Sequence, residues 1–155
     1  MELSSERKIN RYKRIIHQLA ALIPKTENRI ARMATITAIL FHKMERSSWI
    51  GFYLLDRNEL IVGPYQGPVA CQILEKNKGV CWSGINQKKN IIVPDVSKFA
   101  GHIACDPRSR SEIVIPLRND RNEIAGVLDI DSKRPDNFDE TDALYLEEIA
   151  GMVYT

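Results

Sequence analysis

The chain has 155 residues, 44% hydrophobic and 27% charged, with a net charge of +2. That is the composition of one globular domain able to bury its own core. No run of about 18 apolar residues occurs, so no membrane-spanning helix and no membrane partner are expected. Met1-Glu-Leu-Ser-Ser-Glu-Arg7 lacks the basic-then-apolar order of a secretory signal, which makes the cytoplasm the expected compartment.

Charge is unevenly spread. Residues 1–46 hold ten Lys/Arg and four Asp/Glu, whereas residues 47–155 hold twelve and sixteen. A basic arm of this kind can meet nucleic acid, its own acidic body or a second subunit. Tyr12 is its sole aromatic before Phe41, so it lacks the stacking residues of a single-strand binder, and nucleic acid is not expected as a partner.

Ser4 or Ser5 is placed to cap a helix running to about Leu22, with Ile9, Tyr12, Ile15, Ile16, Leu19 and Leu22 on one face. Pro24 stops it. Thr26 is placed to cap a second helix through about Lys43, with Ile30, Met33, Ile36, Ile39 and Leu40 as its inner stripe. Both stripes read as core packing. In Ser48–Leu54, Trp49, Gly51 and Tyr53 face one way, and Ile50, Phe52 and Leu54 face the other. The second set suits a helix-packed face; the first, aromatics with polar handles around a glycine, suits a pocket floor.

Asp56-Arg-Asn58 turns the chain into a returning strand at Glu59–Val62. Glycines and prolines then punctuate short extended pieces around Ala70–Leu74, before a short helix at Val80–Lys88 and a brief strand at Ile91–Val93. Residues 95–110 form a long connection, and long loops inside compact domains are usually functional or disordered; Phe99, Ile103 and Cys105 argue against disorder. Ser111–Leu117 and Glu123–Asp131 are further strands, and Asp139 caps a final helix whose Leu144, Leu146, Ile149 and Met152 point inward. No internal repeat or low-complexity segment appears. The expected fold is α+β: a mostly antiparallel sheet of about six strands, helices on one face and long loops on the other. It divides into N-terminal helices (1–45), sheet and loops (46–138) and a C-terminal helix (139–155).

Alternation places Trp49, Tyr53, Asp129 and Asp131 on the face away from the helices, and Glu112 joins them because Ser111, Ile113 and Ile115 take the other side. A solvated face would also carry acids. These strands are otherwise apolar, however, and the loop at 95–110 is available to cover them. Cys71, Cys81 and Cys105 all lie in turn-rich sequence. They can be small buried hydrophobes, a zinc set with His102 that lacks any Cys-x-x-Cys knuckle, or partners in thiol chemistry, in which one thiolate attacks an electrophile and a second thiol resolves the product.

The segments Trp49-Ile-Gly-Phe-Tyr53, Gly63–Cys71, Gly79-Val-Cys81, Val93–Val96, Gly101–Asp106, Ser109-Arg-Ser-Glu112 and Gly126–Ser132 together resemble a GAF domain of the free methionine-(R)-sulfoxide reductase family. With compatible helices on both sides, the likeness covers nearly the whole chain as one GAF domain. It implies a reductase for free methionine-(R)-sulfoxide. Cys105 matches the family's attacking cysteine and Cys71 its usual resolver, which would form a disulfide with Cys105. Cys81 matches an accessory or alternative resolver. Glu112, Asp129 and Asp131 match the pocket acids, one to protonate the sulfoxide oxygen and another to hold the substrate ammonium, with Trp49 and Tyr53 as the wall for the methyl group. The resemblance implies thioredoxin or a similar dithiol as reductant, and no metal or organic cofactor. Trp82 departs from the family's small residues after Gly79-Val-Cys81, where a bulky group would alter the backbone's approach to a substrate carboxylate. Nothing near Cys105 obviously lowers its thiol pKa: His102 and Arg108 are the candidates and Asp106 would oppose them, and His102 and Asp106 read as loop-shaping residues rather than catalysts. The competing readings are a non-catalytic GAF ligand-sensing or dimerising module and a zinc-stabilised domain. The basic amphipathic helices suggest a homodimer.

Overall fold

The computed structural model describes residues 5–102 and 105–155. In chain order come α1 (Ser5–Leu22), α2 (Arg29–Lys43), β1 (Trp49–Asp56), β2 (Glu59–Gln66), β3 (Ile73–Leu74), α3 (Gly79–Gln87), β4 (Ile91–Val93), β5 (Ser111–Arg118), β6 (Ile124–Ser132) and α4 (Glu140–Gly151). The strands make one six-stranded sheet in the order β3-β2-β1-β6-β5-β4, each pair antiparallel. The long strands, β1, β2, β5 and β6, thus lie inside the sheet, and the short β3 and β4 close its edges.

Each face of the sheet carries its own core. On one side Ile50, Phe52, Ile113, Ile115, Leu117, Leu128 and Ile130 are buried against α1, α2 and α4. On the other, Trp49, Tyr53, Leu60, Leu74, Val114 and Val127 of the sheet pack with Val80 and Trp82 of α3 and Val96 of a connection. Period-two alternation therefore sorts side chains between a helix core and a loop core.

Asp139 caps α4 with a reciprocal bond from Asp142, a capping box. Asp142 is itself buried and takes a 2.6 Å hydrogen bond from Tyr12 and a 2.7 Å contact from Lys8, tying α1 to α4. Lys8 also reaches Asp139 at 2.8 Å. At these residues the basic arm meets its own acidic body.

Several local expectations are corrected. Asn28, not Thr26, caps α2 by accepting from Ala31 N–H; Thr26 instead accepts from Asn28 N–H through its hydroxyl. Ser5 is the first helical residue of α1, and Ser4 lies outside the described residues. Ile30 and Leu144 are both 65% exposed, because each sits at the border of its stripe, where a helical wheel alone does not say how far the neighbouring layer reaches. Leu22 is also exposed, its place taken by Ile23 in the turn that follows. The returning strand runs on to Gln66, since Gly63 and Pro64 sit at a bulge where three steps of β2 oppose two of β1. A bulge is where a strand tolerates a proline that cannot donate to the ladder. Near Ala70–Leu74 only Ile73–Leu74 is strand.

Candidate active site

On the loop face, register decides which side chains meet. Trp49 of β1 pairs with Asp131 of β6, Gly51 with Asp129, and Asp131 in turn with Glu112 of β5. Two carboxylates are thus directly opposite across one strand pair, with a third two residues along. Trp49 folds back over Gly51, where a Cβ would lie 2.6 Å from the indole and 2.3 Å from Tyr65 Cβ. Its ring stacks between Tyr53 and Tyr65, with centroids 5.7 and 5.2 Å away. Trp49 Nε1 donates to Pro68 O at 3.2 Å, and the Tyr53 hydroxyl donates to Cys71 O at 3.2 Å. These two bonds pin the segment leading to Cys71 against the aromatic floor.

Cys81 lies on α3 and is buried, rather than in a loop. The helix comes close because Gly84 has no side chain: a Cβ there would stand 2.8 Å from Val114 Cγ1. The Cys81 sulfur and one oxygen each of Glu112 and Asp129 consequently all fall within 4.8 Å of one another. Cys71 and Cys105 form a disulfide with Cα atoms 5.9 Å apart, so two members of the alternative zinc set are already bonded to each other. Together these groups border a cleft of about 600 Å3, counting its open mouth, with Trp49, Tyr53, Cys81, Cys105, Glu112, Asp129 and Asp131 among its walls.

Burial and their mutual charge make the acids hold their protons. Glu112 is pushed up to about 8, first by desolvation and then by the facing Asp131. Asp129 goes well above the usual carboxylate range by burial and by the charge of Glu112, with which it shares a hydrogen bond. Asp131 rises for the same reasons, burial first and then Asp129. The Cys81 thiol rises too, through burial and the charges of Asp129, Glu112 and Asp131. One atom is left over: Asp129 Oδ1 is buried with no hydrogen-bond partner.

His102 Nε2 stands 3.7 Å from Glu112 Oε2, and burial pushes the imidazole down. Arg108 is committed to Asp106, with bonds of 3.0 and 3.1 Å, so that guanidinium does not serve Cys105. Trp82 is buried with its indole N–H toward Leu74 O and faces the loop core rather than the cleft.

The start of α3 was not singled out by sequence. Lys78, Gly79 and Val80 line the cleft, and the helix has no side-chain cap, so its first N–H groups are offered to whatever enters. Gly79, the first residue of the helix, adopts a φ of +83°, which sequence does not display, and Gly79-Val-Cys81 reads first as a cysteine motif.

The sequence profile of the GAF domain matches residues 28–153. GAF domain-containing protein A of Dictyostelium discoideum is 45% identical over 150 residues, covering 96% of this chain and 94% of that protein. The free methionine-R-sulfoxide reductase of Saccharomyces cerevisiae is 38% identical over 133 residues, covering 81% of this chain and 74% of that protein. A solved structure of free methionine-R-sulfoxide reductase from Neisseria meningitidis, in complex with its substrate, superposes with a TM-score of 0.90 at 37% identity, covering 99% of this chain and 92% of that one. The chain belongs to the GAF-domain family and, within it, to the free methionine-(R)-sulfoxide reductases.

Proposed function

We propose that this chain reduces free methionine-(R)-sulfoxide to methionine, with Cys105 as attacking thiol and Cys71 as resolver. The observation that carries the reading is the Cys71–Cys105 disulfide at a cleft walled by three carboxylates, two of them buried. In the dithiol form the Cys105 thiolate attacks the sulfoxide sulfur while a protonated carboxyl gives its proton to the oxygen. Methionine leaves with the sulfur's electron pair restored, and the oxygen stays on Cys105 as a sulfenic acid. The Cys71 thiol then attacks that sulfur, water departs, and the disulfide of this structure forms.

Four features support the substrate reading. Upward-shifted Glu112, Asp129 and Asp131 keep at least one proton in the cluster at neutral pH. Asp129 Oδ1, buried and unpartnered, is an open acceptor for an ammonium group. The uncapped start of α3, beside Lys78, suits a carboxylate. A free amino acid offers both charged ends; a residue inside a peptide offers neither. Trp49 and Tyr53 supply an apolar wall for the S-methyl group.

A dithiol protein of the thioredoxin class restores the two thiols by exchange. Cys81, buried with a raised pKa, is the slower resolver of the two. The working unit is a cytoplasmic homodimer, which sedimentation of the purified chain checks directly. The decisive assay measures methionine released from each epimer of the free sulfoxide and from a peptide-bound one, with thioredoxin and its reductase. Release from the free R epimer alone, lost in Cys105→Ser, is the expected result. A wild-type protein that leaves the R epimer intact beside a working control enzyme would end the proposal.

A further inference from the structure

We infer that the cleft is also a binding site for a thiophilic divalent cation, zinc or cadmium, held by Cys81 Sγ, Glu112 and Asp129. That zinc excludes the sulfoxide is a consequence that rests on the functional reading above; the binding itself does not. The donor set consists of one sulfur and two carboxylate oxygens, all within 4.8 Å of one another. Each comes from a different element, α3, β5 and β6, so the set converges by folding and not by sequence adjacency. All three residues are buried, at 4%, 6% and 5% exposure. Donors around a tetrahedral zinc stand roughly 3.5 Å apart, given metal–sulfur and metal–oxygen bonds of about 2.3 and 2.1 Å. Small rotamer changes therefore close the set onto an ion.

A further observation favours a cation over a merely satisfied polar cluster. Asp129 Oδ1 is buried on the cleft wall with no partner, and a buried carboxylate oxygen ordinarily has one. His102 Nε2 stands 3.7 Å from Glu112 Oε2 and also lines the cleft, so an imidazole stands beside one carboxylate of the three-donor set without being part of it. The chemistry selects the metal. A thiolate with carboxylates suits zinc or cadmium, whereas magnesium and calcium take oxygen donors. Cys71 and Cys105 play no part, because in this state their sulfurs are bonded to each other. Zinc here would occupy the volume proposed for the substrate's ammonium end, so metal and sulfoxide exclude each other.

The disulfide form makes the test clean, since Cys81 is then the chain's single free thiol. Cadmium chloride is titrated into the full oxidised chain, and the ultraviolet thiolate-to-cadmium charge-transfer band is followed. A saturable band at one ion per chain is expected. Glu112→Gln and Asp129→Asn should weaken it by at least about tenfold, the lower end of what even an outer-shell ligand partner contributes. Cys81→Ser should abolish it. Each variant's thermal unfolding is recorded with and without cadmium, so that a variant that does not fold is recognised, and the wild-type rise in Tm on cadmium binding gives a second readout. Excess free methionine sulfoxide should displace the ion, and excess magnesium should not. No band in the wild type, or a band that survives Cys81→Ser, overturns the site. Methionine release is measured separately on the metal-free dithiol protein, so failure of the reductase reading and failure of the metal site are told apart.

Discussion

Glu112 concentrates the tension of this fold in one side chain. It is buried, faces Asp131 across β5 and β6, and binds its proton up to about pH 8. The unfolded chain releases that proton near 4.5, the ordinary glutamate value. The folded state therefore holds more protons than the unfolded state between those values, and stability is full below about 4.5 and falls as pH rises through 8. Asp129 and Asp131, both shifted upward, add to the loss in the same direction. Glu112→Gln keeps the shape and removes the titration. Its Tm should exceed that of wild type at pH 9 and drop less between pH 5 and pH 9, read by differential scanning fluorimetry. Parallel Tm profiles for the two proteins would refute the assignment.

At the level of elements, the seating of α3 sets the cleft's inner wall. Gly84 lets the helix touch Val114, and a Cβ at 2.8 Å would meet a β-branched side chain with little rotamer freedom to yield. Gly84→Val should cost about 2–3 kcal/mol in urea unfolding through overpacking, and it should lower methionine release as Cys81 and the start of α3 lift from the acids. An unchanged midpoint would show that the helix has slack.

The same level shows what sequence could carry. Alternation alone put Trp49, Tyr53, Glu112, Asp129 and Asp131 on one face, because β1, β5 and β6 are long interior strands whose period is unambiguous. It could not place Cys81, since a nine-residue helix with apolar residues spread around it gives no face to read, and contact through an absent side chain at Gly84 leaves no apolar signal. Nor could residues alone pair Cys71 with Cys105, 34 positions apart; family likeness suggested that pairing. The edge piece Ile73–Leu74 was blurred because two residues carry no period.

For the whole molecule, the disulfide joins two connections that enter from opposite edges of the sheet. Cys71 lies just ahead of edge strand β3, and Cys105 lies between edge strand β4 and β5. In the chain-entropy picture, closing a loop of 34 residues stabilises the fold by roughly 3–4 kcal/mol. Oxidised protein should therefore have a higher urea midpoint than reduced protein, and Cys71→Ser should match the reduced value under both conditions. Equal midpoints for the two redox forms would mean that the bridge relieves nothing in the unfolded chain.

A bridge over the cleft also dictates kinetic order. While it is closed, Cys105 has no thiol to offer. The sulfoxide and the external dithiol then cannot act on the same form of the protein: each consumes the form that the other regenerates. Turnover becomes strict alternation between two half-reactions, with no complex containing both reactants. Double-reciprocal plots of rate against sulfoxide, taken at several dithiol concentrations, should be parallel lines, and one stoichiometric burst of methionine should appear when the reductant is withheld. Intersecting lines would mean that both reactants meet on one form of the protein.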